Sequence, residues 1–315
     1  MRHFQGMSQT SIVFGELRPA WLESVVAYSV PKRWRDRVEF LWPLEMLDLS
    51  DTTAGDAELR LLAQFGSQLN VLDLSGTSVT NSGLVWLQEC SRLEDLSLAN
   101  TSIDDSGLMH LHPLRRLNHL VLERTPTSGL QGLAALRELS FVNLSGTNVT
   151  AEGTQVLADL PELDYLILRG EKIGDAEAGK LGLCPRLRNL RVSETAVGDR
   201  GLQELTRCQS LEMLHVAQSR VTAAGLAGLA SDVNIRLLQL DTTQVSKDVV
   251  ARLSRMPSLK KVNCLEIGSH AEVRAANRAL SKLSADRDVV VVSYGGTRNT
   301  SSDSEPSWPE LEKAK

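Results

Sequence analysis

The chain has 315 residues, 52 of them leucine, with 4% aromatic residues and a net charge of −5. That balance argues against a general binder of nucleic acid or of anionic membranes, and four cysteines are too few for a disulfide scaffold. The length exceeds one ordinary domain, so either two domains or one long repeat array is expected.

In chain order, the opening stretch Met1 to Arg18 has no apolar run of signal-peptide length. No segment approaches the roughly 18 consecutive apolar residues of a membrane span. Together with the negative charge, these features point to a cytoplasmic protein that needs no membrane. Residues 1–43 read as an N-terminal helical cap. Trp21, Leu22, Val25, Val26, Trp34, Val38, Phe40 and Trp42 gather apolar bulk there, and a stack of repeats needs its end covered.

From Leu44 onward one phrase recurs, Leu-x-x-Leu-x-Leu-x-x-Thr. Its first position falls at Leu44, Leu69, Leu93, Leu117, Leu139, Leu163, Leu187, Leu211, Ile235 and Leu259, in steps of 25, 24, 24, 22, 24, 24, 24, 24 and 24 residues. The alternating pair, such as Leu72 and Leu74, predicts a short strand with one buried face. A Thr or Ser comes next, as at Thr77, Thr101 and Thr147, where a hydroxyl can bond nearby backbone and stack in a ladder. A Val or Ile then turns inward, as at Val79 and Ile103. Gly-Leu-x-x-Leu, as in Gly83, Leu84 and Leu87, predicts a short helix on the other side. One unit alone cannot bury its apolar face, but stacked units can.

These residues resemble a leucine-rich-repeat protein over roughly residues 44–292. The phrase Leu-Ser-Gly-Thr-Ser-Val-Thr-Asn-Ser-Gly-Leu (residues 74–84) is similar to the cysteine-containing subclass found in F-box proteins and in many bacterial repeat proteins. The resemblance implies an α/β, right-handed leucine-rich-repeat solenoid, or horseshoe. Its parallel sheet lies on the concave face and its short helices on the convex face. Residues 44–292 then form about ten units, closed by a helix carrying Val273, Ala276, Leu280 and Leu283 and a strand at residues 289–292. Residues 293–315, rich in Gly, Ser, Thr, Pro and Glu, read as a disordered tail.

Catalytic chemistry has little to stand on. Cys90, Cys184 and Cys208 each precede a repeat leucine by three residues, and Cys264 replaces a strand leucine, so all four read as small core side chains. His110-x-His112 is weak evidence for a metal. No phosphate loop, serine elbow or cysteine–histidine pair stands apart from the repeat. The expectation is a non-enzymatic monomer with no cofactor and no metal.

The variable positions between the strand leucines must face away from the core. In the middle units they give Val121, Arg124, Phe141, Tyr165, Ile167, Arg169 and Arg191, followed by Met213 and His215. Phe141 and Tyr165 should lie side by side on adjacent strands as exposed aromatics. Aromatic residues flanked by arginine make up many interface hot spots. These nine residues are the expected concave-face site for a protein or peptide. Two alternatives remain at this level. The Lys32-Arg33-Trp34-Arg35 phrase is similar to the end of an F-box helix, which implies a substrate receptor of a ubiquitin ligase. A purely structural spacer would use no concave partner.

Overall fold

The computed structural model describes residues 45–295, apart from 64–65, 171, 231–232 and 287–288. The expected N-terminal cap, with its basic phrase, and the tail beyond residue 295 lie outside the described residues.

The described chain forms one parallel sheet of eleven strands in sequence order. The strands are β1 (Met46–Asp48), β2 (Val71–Asp73), β3 (Asp95–Ser97), β4 (His119–Val121), β5 (Phe141–Asn143), β6 (Tyr165–Ile167), β7 (Asn189–Arg191), β8 (Met213–His215), β9 (Leu237–Asp241), β10 (Lys261–Glu266) and β11 (Val290–Gly295). The last strand therefore includes Ser293, Tyr294 and Gly295, three residues that composition alone assigns to the tail. Register is constant: the same inward position pairs from strand to strand, Leu72 with Leu96, Leu96 with Leu120 and Leu190 with Leu214, and valine fills it in β5, β10 and β11. Leu69, Leu72 and Leu74 of the second unit, with their counterparts in the later units, are buried in a single continuous core, and Leu47 of the first packs against it. Val79, Ile103, Val149, Val197 and Val221 turn into the same core. Burial of a Leu-sized side chain contributes about 1.5–3 kcal/mol, and the stack collects that gain at every unit.

Opposite the strands run short helices: α1 (Asp56–Leu62), α2 (Asp105–Leu108), α3 (Ala151–Ala158), α4 (Asp175–Leu181), α5 (Asp199–Leu205), α6 (Ala223–Ala227), α7 (Lys247–Leu253) and the longer α8 (His270–Asp286). The second unit has a 3-10 turn at Gly83–Glu89 instead. The unit shortened by two residues keeps a single 3-10 turn, Gln131–Leu133, because fewer residues must cross the same width. On α8, Ala276, Leu280 and Leu283 are buried while Arg274, Arg278 and Lys282 face solvent. Asn277 joins the helix to the sheet, donating to Glu266 at 2.8 Å and accepting from the Ser293 hydroxyl at 2.8 Å.

Of the two expected roles of the repeat hydroxyls, bonding nearby backbone and stacking in a ladder, the first is the one the hydrogen bonds show. Thr77, Thr101, Thr147, Thr195 and Ser219 each donate to the carbonyl three residues earlier, at 2.6 Å. This closes the turn that leaves the strand. The residue before the hydroxyl takes a left-handed backbone: Gly76 and Gly146, but also Asp51, Asn100, Arg124, Glu194 and Gln218. Glycine takes that conformation freely, whereas other residues do so at a cost of about 1–3 kcal/mol.

Units are clasped together by acidic side chains at the helix starts. Asp56 accepts from the Thr80 backbone and hydroxyl at 2.8 and 2.6 Å. Asp105 does the same for Ser128 at 2.9 and 2.6 Å. Asp175 accepts from the Gly198 and Gly201 amides at 2.7 and 3.0 Å, and Asp199 from Thr222 at 2.7 Å through both atoms. Burial pushes the Asp105 pKa up, but the bonds from Ser128, Gly129 and Leu130 outweigh it and hold the carboxyl below its usual range. The clasp also explains the glycine of the Gly-Leu-x-x-Leu phrase. A Cβ on Gly83 would lie 2.2 Å from an Asp56 carboxylate oxygen, and one on Gly225 would lie 2.1 Å from that of Asp199.

Gly225→Ala therefore displaces Asp199 from Thr222 and lowers the unfolding free energy by about 1–3 kcal/mol. In an Asp199→Ala background the same change costs only about a few tenths of a kcal/mol, because the two share one interaction. Urea unfolding of the four proteins in the cycle measures both.

Candidate functional site

Period-2 alternation puts two columns of side chains on the inner face of the sheet. The first runs Asp95, His119, Phe141, Tyr165, Asn189, Met213; the second runs Ser97, Val121, Asn143, Ile167, Arg191, His215. Phe141 and Tyr165 are direct partners across β5 and β6, with ring centroids 5.1 Å apart in an edge-to-face arrangement. His119 continues the row, its ring 5.7 Å from that of Phe141 and its Nδ1 2.5 Å from an Asp95 carboxylate oxygen.

Ala99, Val121, Phe141 and Ile167 form a second apolar cluster, with Tyr165 packed against it. It is separate from the main core and built from inner-face side chains. Alternation alone makes Phe141 an exposed aromatic. In the structure it is buried and Tyr165 is half-buried, so Tyr165 is the more accessible ring. Ala99 and His119 are not among the nine expected site residues. Only column position marks His119, and nothing in the sequence marks Ala99, because a lone alanine has no distinctive chemistry.

Beside the cluster the charge turns positive. The Arg191 guanidinium lies over the Tyr165 ring, 5.5 Å from its centroid, a cation–π contact. Arg169 stands just beyond the end of β6. The two arginines bear on His215. Burial first, then the charges of Arg191 and Arg169, drive its pKa down to about 3. Towards β1 the sign reverses, with Asp48, Asp73 and Asp95 on the inner columns. Burial, aided by Asp48 and Asp51 and opposed by bonds from Ser75, raises the Asp73 pKa.

Seven of the nine expected residues thus converge on one region: Val121, Phe141, Tyr165, Ile167, Arg169, Arg191 and His215. Met213 lies two strands from Tyr165 in the first column and marks its border. Arg124 does not join them. It occupies the left-handed turn after β4, is exposed, and pairs with its neighbour Glu123 at 3.7 Å. The nearby Arg188 is held in a two-pronged bond by Asp164 on the rim, at 2.7 and 2.8 Å.

The cysteines are free and buried, and burial pushes the Cys90, Cys184 and Cys264 thiols up to about 12. Such thiols stay protonated and unreactive. Among the described residues no group of three His, Cys, Asp or Glu side chains is placed to hold a metal ion. Nor is any described helix long and apolar enough to cross a membrane.

No family model and no curated protein matches the sequence. Solved structures do. An internalin C2 from Listeria monocytogenes superposes with a TM-score of 0.51 at 21% identity, over 62% of this chain and 80% of that one. An internalin F from the same organism gives 0.54 at 16% identity, over 81% of this chain and 76% of that one. The fold is a leucine-rich-repeat solenoid. At these identities the likeness shows the architecture alone.

The depressed His215 pKa makes a pH prediction. Its folded value lies below the ordinary 6.5. The unfolded chain therefore binds a proton between about pH 6.5 and pH 3 that the solenoid refuses. Stability from this group is full above that window and is lost as pH falls through it. His215→Gln removes this part of the slope. Urea midpoints measured at about pH 7 and about pH 4.5, either side of the ordinary histidine pKa, should differ less in the variant than in the parent.

Proposed function

We propose that the solenoid is a non-enzymatic protein-interaction module that binds a protein or peptide segment on its concave sheet. The observation that carries this reading is the inner-face cluster of Phe141, Tyr165, Val121 and Ile167, with Arg191 over the Tyr165 ring. An apolar floor rimmed by arginine and tyrosine is the chemistry of interface hot spots. It belongs to no part of the structural core, because the sheet itself separates the two. The surrounding backbone is fixed by the repeat ladder, so binding requires little ordering of the scaffold. The acid-rich end towards β1 and the arginines of β6 and β7 give the face a polarity that favours one orientation of a bound segment.

The test compares three forms of the chain as bait in lysate of the source cells: parent, Tyr165→Ala/Arg191→Glu, and the helix-side control Leu183→Glu. Circular dichroism first establishes that all three are folded. The expected result is a partner held by parent and control whose affinity for the inner-face variant falls at least tenfold, about 1.4 kcal/mol. A partner bound equally by all three contradicts the reading.

A further inference from the structure

The concave cluster is an apolar floor set in a charged hollow. Phe141 is 7% exposed, Val121 8% and Ile167 3%, and the apolar neighbours they pack against are other inner-face side chains. Near the sheet's end, Val290 is 55% and Val292 38% exposed. β11 finishes at Gly295, just after Tyr294, whose phenol pKa burial and then Cys264 raise, against the opposing charges of Arg191 and Arg169.

The next stretch of sequence is the chemical complement of the site. Trp308 is flanked by Asp303 and Glu305 on one side and by Glu310 and Glu312 on the other. An indole between carboxylates matches two aromatic rings beside two guanidinium groups. Length allows the match. Trp308 lies 13 residues beyond Gly295, a reach of up to about 43 Å when extended. From β11 to β6 is five strand spacings, about 24 Å along the sheet.

We propose that residues 303–312 of this chain occupy its own concave face. Trp308 lies against the Phe141 and Tyr165 rings, Glu305 and Glu310 lie against Arg169 and Arg191, and the segment competes there with the external partner. The inference rests on the concave face being the binding surface, and it adds how that surface is regulated. A tethered segment acts at an effective concentration in the millimolar range. It therefore turns away partners that bind weakly and yields to those that bind tightly or that carry the segment off.

The experiment replaces Trp308 in the full chain by the photo-reactive residue p-benzoylphenylalanine and maps the cross-links by mass spectrometry. The expected product is monomeric at every protein concentration and links position 308 to peptides containing Phe141 or Tyr165. Arg169→Glu/Arg191→Glu should cut its yield at least fivefold, and adding Glu305→Arg/Glu310→Arg should restore it. That restoration also shows that the doubly reversed sheet is folded. Links to the helix side, links only between copies, or no link overturn the inference. A second measurement leaves the sheet untouched: Trp308→Ala should raise partner capture severalfold, and unchanged capture contradicts competition. If cross-links map elsewhere while capture still depends on Tyr165, this inference alone fails. If capture ignores Tyr165, the binding reading fails by itself.

Discussion

The structure depends on a carboxylate reaching from the start of one helix to the backbone of the next unit. Asp56, Asp105, Asp175 and Asp199 each make that reach. Leucine burial supplies most of the stabilisation, but burial is non-directional and would tolerate many offsets between units. The clasp is directional. It holds neighbours at one translation, and it forces glycine where the next helix passes the carboxylate, as at Gly83 and Gly225. With spacing fixed, the inward Leu or Val of each strand meets its counterpart. The inner side chains then fall into straight columns.

Those columns turn sequence variation into a surface. The fold constrains the buried positions and leaves the inner ones open, so neighbouring strands place Val121, Phe141, Tyr165, Ile167 and Arg191 together although they span residues 121–191. The same geometry concentrates charge. Loss of solvent around the half-buried ring first, and then the charges of Arg191 and Arg169, hold His215 neutral at ordinary pH. Around His215 the positive charge therefore sits on guanidinium groups that do not titrate in that range.

The repeat makes the columns legible in the sequence. A 24-residue period combined with a two-residue alternation leaves one register, and the Phe141–Tyr165 pairing is its consequence. Other features are hidden for physical reasons. The clasping aspartates look like ordinary surface acids, because their partners are backbone amides about 24 residues away, joined at three of them only by a small uncharged hydroxyl of Thr80, Ser128 or Thr222. The Thr hydroxyls suggest a ladder because they recur in line, yet a carbonyl three residues back is the acceptor each one takes. Arg124 sits beside the site in sequence but on a left-handed turn, which swings it to the rim. Burial of Phe141 and suppression of His215 both come from side chains on neighbouring strands, whose sizes and charges a period does not encode.

Side-chain accessibility in the bound state tests the central claim most directly. Hydroxyl-radical footprinting of the Trp308→Ala chain, whose inner face is not held by its own indole, with and without the captured partner reads Tyr165 and Met213 on the inner face and Met109 and Leu183 on the helix side in one experiment. Strong protection of Tyr165 and Met213, with Met109 and Leu183 unchanged, is the predicted result. Protection confined to Met109 and Leu183 would contradict the account and move recognition to the outside of the solenoid.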